Sequence, residues 1–144
     1  MSWYYHNEIF TEEQIGTYTG YIYLITELDT GKKYVGQKVF FNKVSKKPLK
    51  GKKNRRISKK YSDWQDYFGS NEELKQAVID KGRDNYRREI IHLCKAKSEM
   101  NYLELYEIVT RHALLSEDYF NSWVSTRINK NQLKSFGVER FAQV

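Results

Sequence analysis

The 144-residue chain holds one cysteine, Cys94, and one proline, Pro48. A lone cysteine excludes an internal disulfide and points to a reducing, cytoplasmic setting. Cys94 ends an apolar run with Ile90, Ile91 and Leu93, and reads as buried filler rather than a nucleophile. No apolar run reaches the length of a membrane span, and the start Met-Ser-Trp-Tyr-Tyr-His-Asn-Glu lacks the basic-then-apolar pattern of a secretory leader. The three histidines are scattered and, with one cysteine, give no zinc spacing. Acids are missing altogether from residues 43–60.

That last absence organises the charge. Lys43, Lys46, Lys47, Lys50, Lys52, Lys53, Arg55, Arg56, Lys59 and Lys60 put ten of the 25 basic residues into this one stretch. The remaining 15 face 18 acidic residues, so the rest of the chain sums to −3. The chain is a near-neutral domain carrying one cationic segment, expected to be extended and open around Pro48 and Gly51. Such a run can be idle solvated loop. Phosphate neutralisation with counterion release explains its concentration better, because unrelieved self-repulsion costs stability. An acidic protein partner is a further reading.

Twelve tyrosines set the aromatic character. Thr19–Ile25 and Gly31–Lys38 are β-branched and aromatic runs joined by Glu27-Leu28-Asp29-Thr30-Gly31-Lys32, a turn-forming string, and predict a β-hairpin. Alternation places Ile22, Leu24, Val35 and Val39 on a buried face. Tyr23, Tyr34 and Lys38 share the second face, and Gly36 leaves an opening beside the phenols. Before the hairpin, Thr11-Glu12-Glu13-Gln14 predicts a capping box with Phe10 as staple, inside an N-terminal arm of residues 1–17. After the basic run, Ser70 or Asn71 caps a helix with Leu74, Ala77 and Val78 inward and Gly82 at its end. Residues 86–94 predict a third strand on the hairpin. The fold class is α+β, a small three-stranded antiparallel sheet flanked by helices.

Residues 98–114 predict a helix whose core face is Tyr102, Leu105, Tyr106, Val109 and Ala113. Glu107 precedes Arg111 by four residues, the spacing of a surface ion pair. Glu104 has Met100 and Ile108 at those offsets and no cationic partner there, which makes it the better ligand for an imported cation. A lone carboxylate suits a hard ion that keeps its waters, Mg²⁺ or Mn²⁺.

Ile22-Tyr23 and Tyr34-Val35-Gly36, around one turn, resemble the paired signatures of the GIY-YIG nucleases. The order hairpin, helix, strand resembles that family too, as do Glu104 four residues before Ile108 and Asn121 after Tyr119-Phe120. The resemblance implies a metal-dependent endonuclease acting on double-stranded DNA, with Tyr23, Tyr34, Glu104 and Asn121 catalytic and Glu104 the metal ligand. Tyr23 takes the place of a base or water orienter. Asp63-Trp64-Gln65-Asp66-Tyr67 has no arginine where relatives carry one, so Arg56 (or Arg55) is assigned the guanidinium, suited by its fork to phosphate. Lys38, Lys50, Lys52, Lys53, Arg55, Lys59 and Lys60 are the expected DNA contacts. The nuclease domain spans 18–123 with the insertion 43–60, and 124–144 is an extension of unassigned role, with one more helix expected there. The nearest likeness is to small phage-encoded homing endonucleases acting in a bacterial host. A non-catalytic DNA-binding module on the same fold is the alternative.

Overall fold

The computed structural model describes residues 2–124, 128 and 130–133. Its strands are β1 (Trp3–Tyr5), β2 (Glu8–Phe10), β3 (Gly20–Glu27), β4 (Lys33–Val39), β5 (Phe41–Lys46), β6 (Arg56–Tyr61) and β7 (Tyr86–Cys94). The helices are α1 (Glu72–Lys81) and α2 (Lys97–Thr110), with short 3-10 turns elsewhere. The expected C-terminal helix lies mostly outside the described residues; within them only Lys130–Leu133 forms a 3-10 turn. No helix among the described residues is long and apolar enough to cross a membrane.

β3, β4 and β7 form the expected antiparallel core, but the sheet is larger than three strands. Its order is β2-β1-β7-β3-β4, with β1 parallel to β7. The added strands come from the segment read as an arm. His6 and Asn7 join β1 to β2 with left-handed φ of 51° and 65°, the backbone that a two-residue hairpin demands. Without a glycine in that turn, the hairpin leaves little mark in the sequence. Trp3 is buried and donates from Nε1 to the Trp64 carbonyl at 2.7 Å. Phe10 is buried as a staple residue should be, and the Thr11 amide donates to Gln14 Oε1 at 2.8 Å.

The expected open tyrosine face is a second core. Ile22, Leu24 and Val35 pack with Cys94, Met100, Leu103, Ile108 and Ala113 under α2. Tyr21, Tyr23, Ile25 and Tyr34 pack on the opposite side with Trp3, Phe40, Trp64, Phe68 and Leu74. Large aromatics bury enough area that both faces of β3 close. Within this second core the Arg88 guanidinium lies 4.6 Å from the Trp3 ring and 4.4 Å from the Phe68 ring, and donates to the Tyr67 carbonyl at 2.9 Å. Burial lowers its pKa to about 10. α1 agrees with its sequence: Asn71 Oδ1 accepts from the Leu74 amide, Leu74 and Val78 are buried, and Gly82 ends it.

α2 is rotated from its expected phase. Met100, Leu103 and Ile108 face the sheet, while Val109 is exposed. Glu104 and Glu107 fall within the inward stripe, so two acids disguise it as a polar face. The tyrosines at 102 and 106 sit half-buried at its flanks, as amphipathic rings do.

The basic segment is not open loop but a two-stranded antiparallel ribbon, β5 on β6. Phe41 stacks on Tyr61 at its base, with centroids 4.8 Å apart. Its register sets Lys43 opposite Lys59 and Lys46 opposite Arg56. Like charges directly opposed across strands are destabilising.

Gly20, which opens β3, has a packing reason. A Cβ there would lie 2.5 Å from the Lys38 carbonyl oxygen and 2.6 Å from Met100 Cε. A backbone carbonyl cannot rotate aside, so Gly20→Ala should cost about 1–3 kcal/mol. Urea titration should give a lower midpoint at unchanged slope.

Candidate active site

β3 and β4 pair Tyr23 with Gly36, and the Tyr23 ring lies across the glycine. A Cβ on Gly36 would meet the Tyr23 hydroxyl and would stand 2.5 Å from Tyr23 Cζ. The opening expected beside Gly36 is therefore filled from below by Tyr23 itself, which is 1% exposed. Burial drives the Tyr23 pKa well above the usual phenol value, with the neighbouring Tyr67 and Tyr34 hydroxyls and a hydrogen bond to Tyr67 adding to the shift. At neutral pH Tyr23 is a protonated donor.

Above Gly36 opens a cleft of about 310 Å³, lined among others by Tyr34, Gln37, Ser70, Lys97, Glu104 and Asn121. Tyr34 shares a 3.1 Å hydrogen bond with Ser70 Oγ. Burial raises its pKa, and nearby Tyr67 and Glu104 add to that. Gln37 accepts from Lys97 Nζ at 2.8 Å, donates to Asn101 Oδ1 at 3.0 Å and also hydrogen-bonds Glu104. The other Glu104 oxygen, Oε2, is buried with no hydrogen-bond partner. Burial raises the Glu104 pKa, opposed by Gln37 and the Lys97 charge. Lys97 is exposed as a residue, yet desolvation beside the cleft lowers its pKa against the pull of Glu104.

Glu107 differs in kind. It is not an exposed pair partner: its side chain is 13% exposed and bridges His92 Nε2 at 2.7 Å and Arg111 Nε at 2.8 Å. Burial disfavours its charge, but those two bonds outweigh it and hold the carboxyl below the usual range. Glu107 is spent on structure, and Glu104 is left with an unpartnered oxygen.

Asn121 lines the cleft, but its amide is committed. Oδ1 accepts from the Val35 amide at 3.0 Å and Nδ2 donates to the Val35 carbonyl at 2.8 Å. It holds β4, and with it Tyr34 and Gly36, rather than bonding its own backbone. Lys38 is neutralised by Asp63 at 2.6 Å and lies 4.1 Å over the Tyr67 ring. Arg56 lies on the ribbon, its Nε donating to the Lys47 carbonyl at 3.3 Å, and it does not line the cleft. Arg55 bonds Ser45. Lys50, Lys52 and Lys53 are exposed at the ribbon tip, with Lys59 and Lys60 on β6.

The family described as "Putative endonuclease segE, GIY-YIG domain" matches residues 3–124. The chain belongs to the GIY-YIG nuclease family. The match begins at Trp3, the first residue of β1, so it takes in the two strands that lie in the expected N-terminal arm. No curated protein and no solved structure matches the chain. Lys97, Gln37 and Ser70 also line this cleft and were not singled out from the sequence. Lys97 was accessible in principle: Lys97, Asn101 and Glu104 stand four and three residues apart, the spacing of one helix face.

Two variants separate the glutamates. Because the folded pKa of Glu104 is raised, its carboxyl carries no penalty below the ordinary value of 4.5 and its full penalty above the folded value. Glu104→Gln should therefore stabilise the protein at neutral pH by about 1 kcal/mol, with the gain vanishing as pH falls below the glutamate range. Glu107→Gln should lose on the order of 1–3 kcal/mol at neutral pH, since His92 and Arg111 lose a charged acceptor. Denaturant titrations across pH read both.

Proposed function

We propose that the chain is a metal-dependent endonuclease that hydrolyses phosphodiester bonds of double-stranded DNA. The observation that carries this is the buried, unpartnered Glu104 oxygen beside a cleft shared with Tyr34 and Asn121, on a nuclease-type fold. One carboxylate with nearby hydroxyl oxygens fits Mg²⁺ or Mn²⁺ retaining most of its waters. A divalent cation held by Glu104 supplies positive charge at a phosphate oxygen and lowers the pKa of a water. The protein's own groups do the rest. Tyr34, kept protonated by burial, donates to the phosphate or orients the attacking water. Tyr23 fills the space beside Gly36 and so fixes β4 next to Tyr34. Asn121 acts as a positioning residue through Val35. Lys97 is the cationic side chain lining the cleft, the place where an arginine was expected. The homing-type, phage-encoded setting belongs to the same reading.

A specific observation also favours a second reading, a DNA-binding module without turnover. Tyr23 and Asn121 each hold the fold, one by burial and one by stitching β4, so a domain without activity would retain them.

Supercoiled plasmid incubated with Mg²⁺ or Mn²⁺ decides between them. Wild-type protein should nick or cut it, and EDTA should stop the reaction. Glu104→Gln should lower the rate at least 100-fold, the order lost with a main electrostatic contributor, while still shifting DNA in a gel. Mg²⁺ should also raise the unfolding temperature of the wild type and not of Glu104→Gln. Intact plasmid across metals and salt would leave the binding module as the function.

A further inference from the structure

A second cavity, about 690 Å³, runs between the ribbon and the segment before β3. Its walls include Tyr18, Phe41, Lys43, Lys59 and Lys97, and none of its lining residues is acidic. Lys97 also lines the Glu104 cleft, so the two cavities meet at this side chain. We propose that this groove holds the sugar-phosphate backbone of one DNA strand, and that Lys97 passes that strand's phosphate into the Glu104 cleft.

The register of the ribbon selects which lysines take part. Phe41, Lys43 and Ser45 share one face of β5, and pairing puts Tyr61, Lys59 and Ile57 beside them. Lys43 and Lys59 are direct cross-strand neighbours, and neither forms an ion pair among the described residues. Their mutual repulsion is relieved by an anion between them, and a phosphate is the anion that repeats along a strand. Lys46, Arg56 and Lys60 lie on the other face of the ribbon. The aromatic rings suit the occupant as well: Lys59 Nζ stands 5.8 Å from the Phe41 centroid, leaving Phe41 and Tyr18 half-exposed for a sugar or base to pack upon. Size argues for one strand. Cavities of roughly 300–1,000 Å³ take a ligand of drug size, which matches a nucleotide or two and not a duplex. Lys97 is the added cation of the reaction centre, near enough to Glu104 for each to shift the other's pKa.

The proposal rests on DNA being the substrate, and its test is read without turnover. DNA affinity of the full chain is measured against salt in EDTA, where the slope counts phosphate contacts. Lys43→Gln/Lys59→Gln/Lys97→Gln should flatten the slope by about 0.9 for each lysine removed. Lys97→Gln alone should lose about one contact, and Lys97→Arg should restore it. Lys50→Gln/Lys52→Gln/Lys53→Gln, at the ribbon tip, should change the slope by less than the groove triple does. No variant should have an unfolding midpoint below the wild type, because none of the lysines belongs to a core and removing Lys43 and Lys59 relieves a cross-strand repulsion. In plasmid assays with Mg²⁺, Lys97→Gln should lower kcat at saturating DNA, which a remote charge would not do.

A groove triple with the wild-type slope, or a tip triple that flattens it more, would overturn the groove. So would poly-glutamate competing at the groove lysines while DNA fails to bind. A chain that binds DNA through these lysines and never cuts would overturn the nuclease reading and leave the groove standing. Normal cutting by the groove triple would do the reverse.

Discussion

The site depends on one cross-strand pair, Tyr23 laid over Gly36. The aromatic ring occupies the volume that a Cβ would need, so the two signature residues are one object built from two strands. The ring buries its own hydroxyl, which keeps the phenol protonated. Gly36 in turn lines the Glu104 cleft. Each property follows from the steric exclusion between a glycine and the tyrosine opposite it.

Around that pair stand two charge deficits of opposite sign. Glu104 carries a desolvated oxygen with nothing to bond, and the ribbon carries facing lysines with no acid in eighteen residues. The chain satisfies other ions: Glu107 has His92 and Arg111, Lys38 has Asp63, and Glu27 collects Lys81 at 2.8 Å and Tyr86 at 2.7 Å. Where partners were available, the fold used them. Polarity left unmatched at two adjoining cavities is a cost borne by the isolated protein and removed by a cation on one side and phosphates on the other.

The central hairpin, α1 and β7 were legible because strand alternation, caps and breakers act locally. That Glu104 would have no ion-pair partner was legible through the absence of a cation at the helical offsets of four. The first two strands were not, since their turn runs through His6 and Asn7 rather than glycine and their pairing with β7 spans most of the chain. The phase of α2 was hidden because its inward stripe carries two glutamates, one structural and one not. Burial of the tyrosine face escaped alternation, which says which residues share a side but not whether a neighbour covers it. Arg56 lies on the ribbon and does not line the cleft, and nothing local in the basic run says which face of a ribbon a residue will take.

The Asn121 clamp has a consequence for behaviour in solution. β4 is the last strand of its sheet, and such a margin invites another chain to add itself. Here Asp118 to Asn121 lies along it: the Lys33 amide donates to the Asp118 carbonyl at 2.9 Å, the Phe120 amide to the Lys33 carbonyl at 2.7 Å, and the asparagine amide takes both groups of Val35. Asn121 mimics a peptide unit and finishes a selvedge on the sheet, keeping the same strand that bears Tyr34 and Gly36 from templating aggregation.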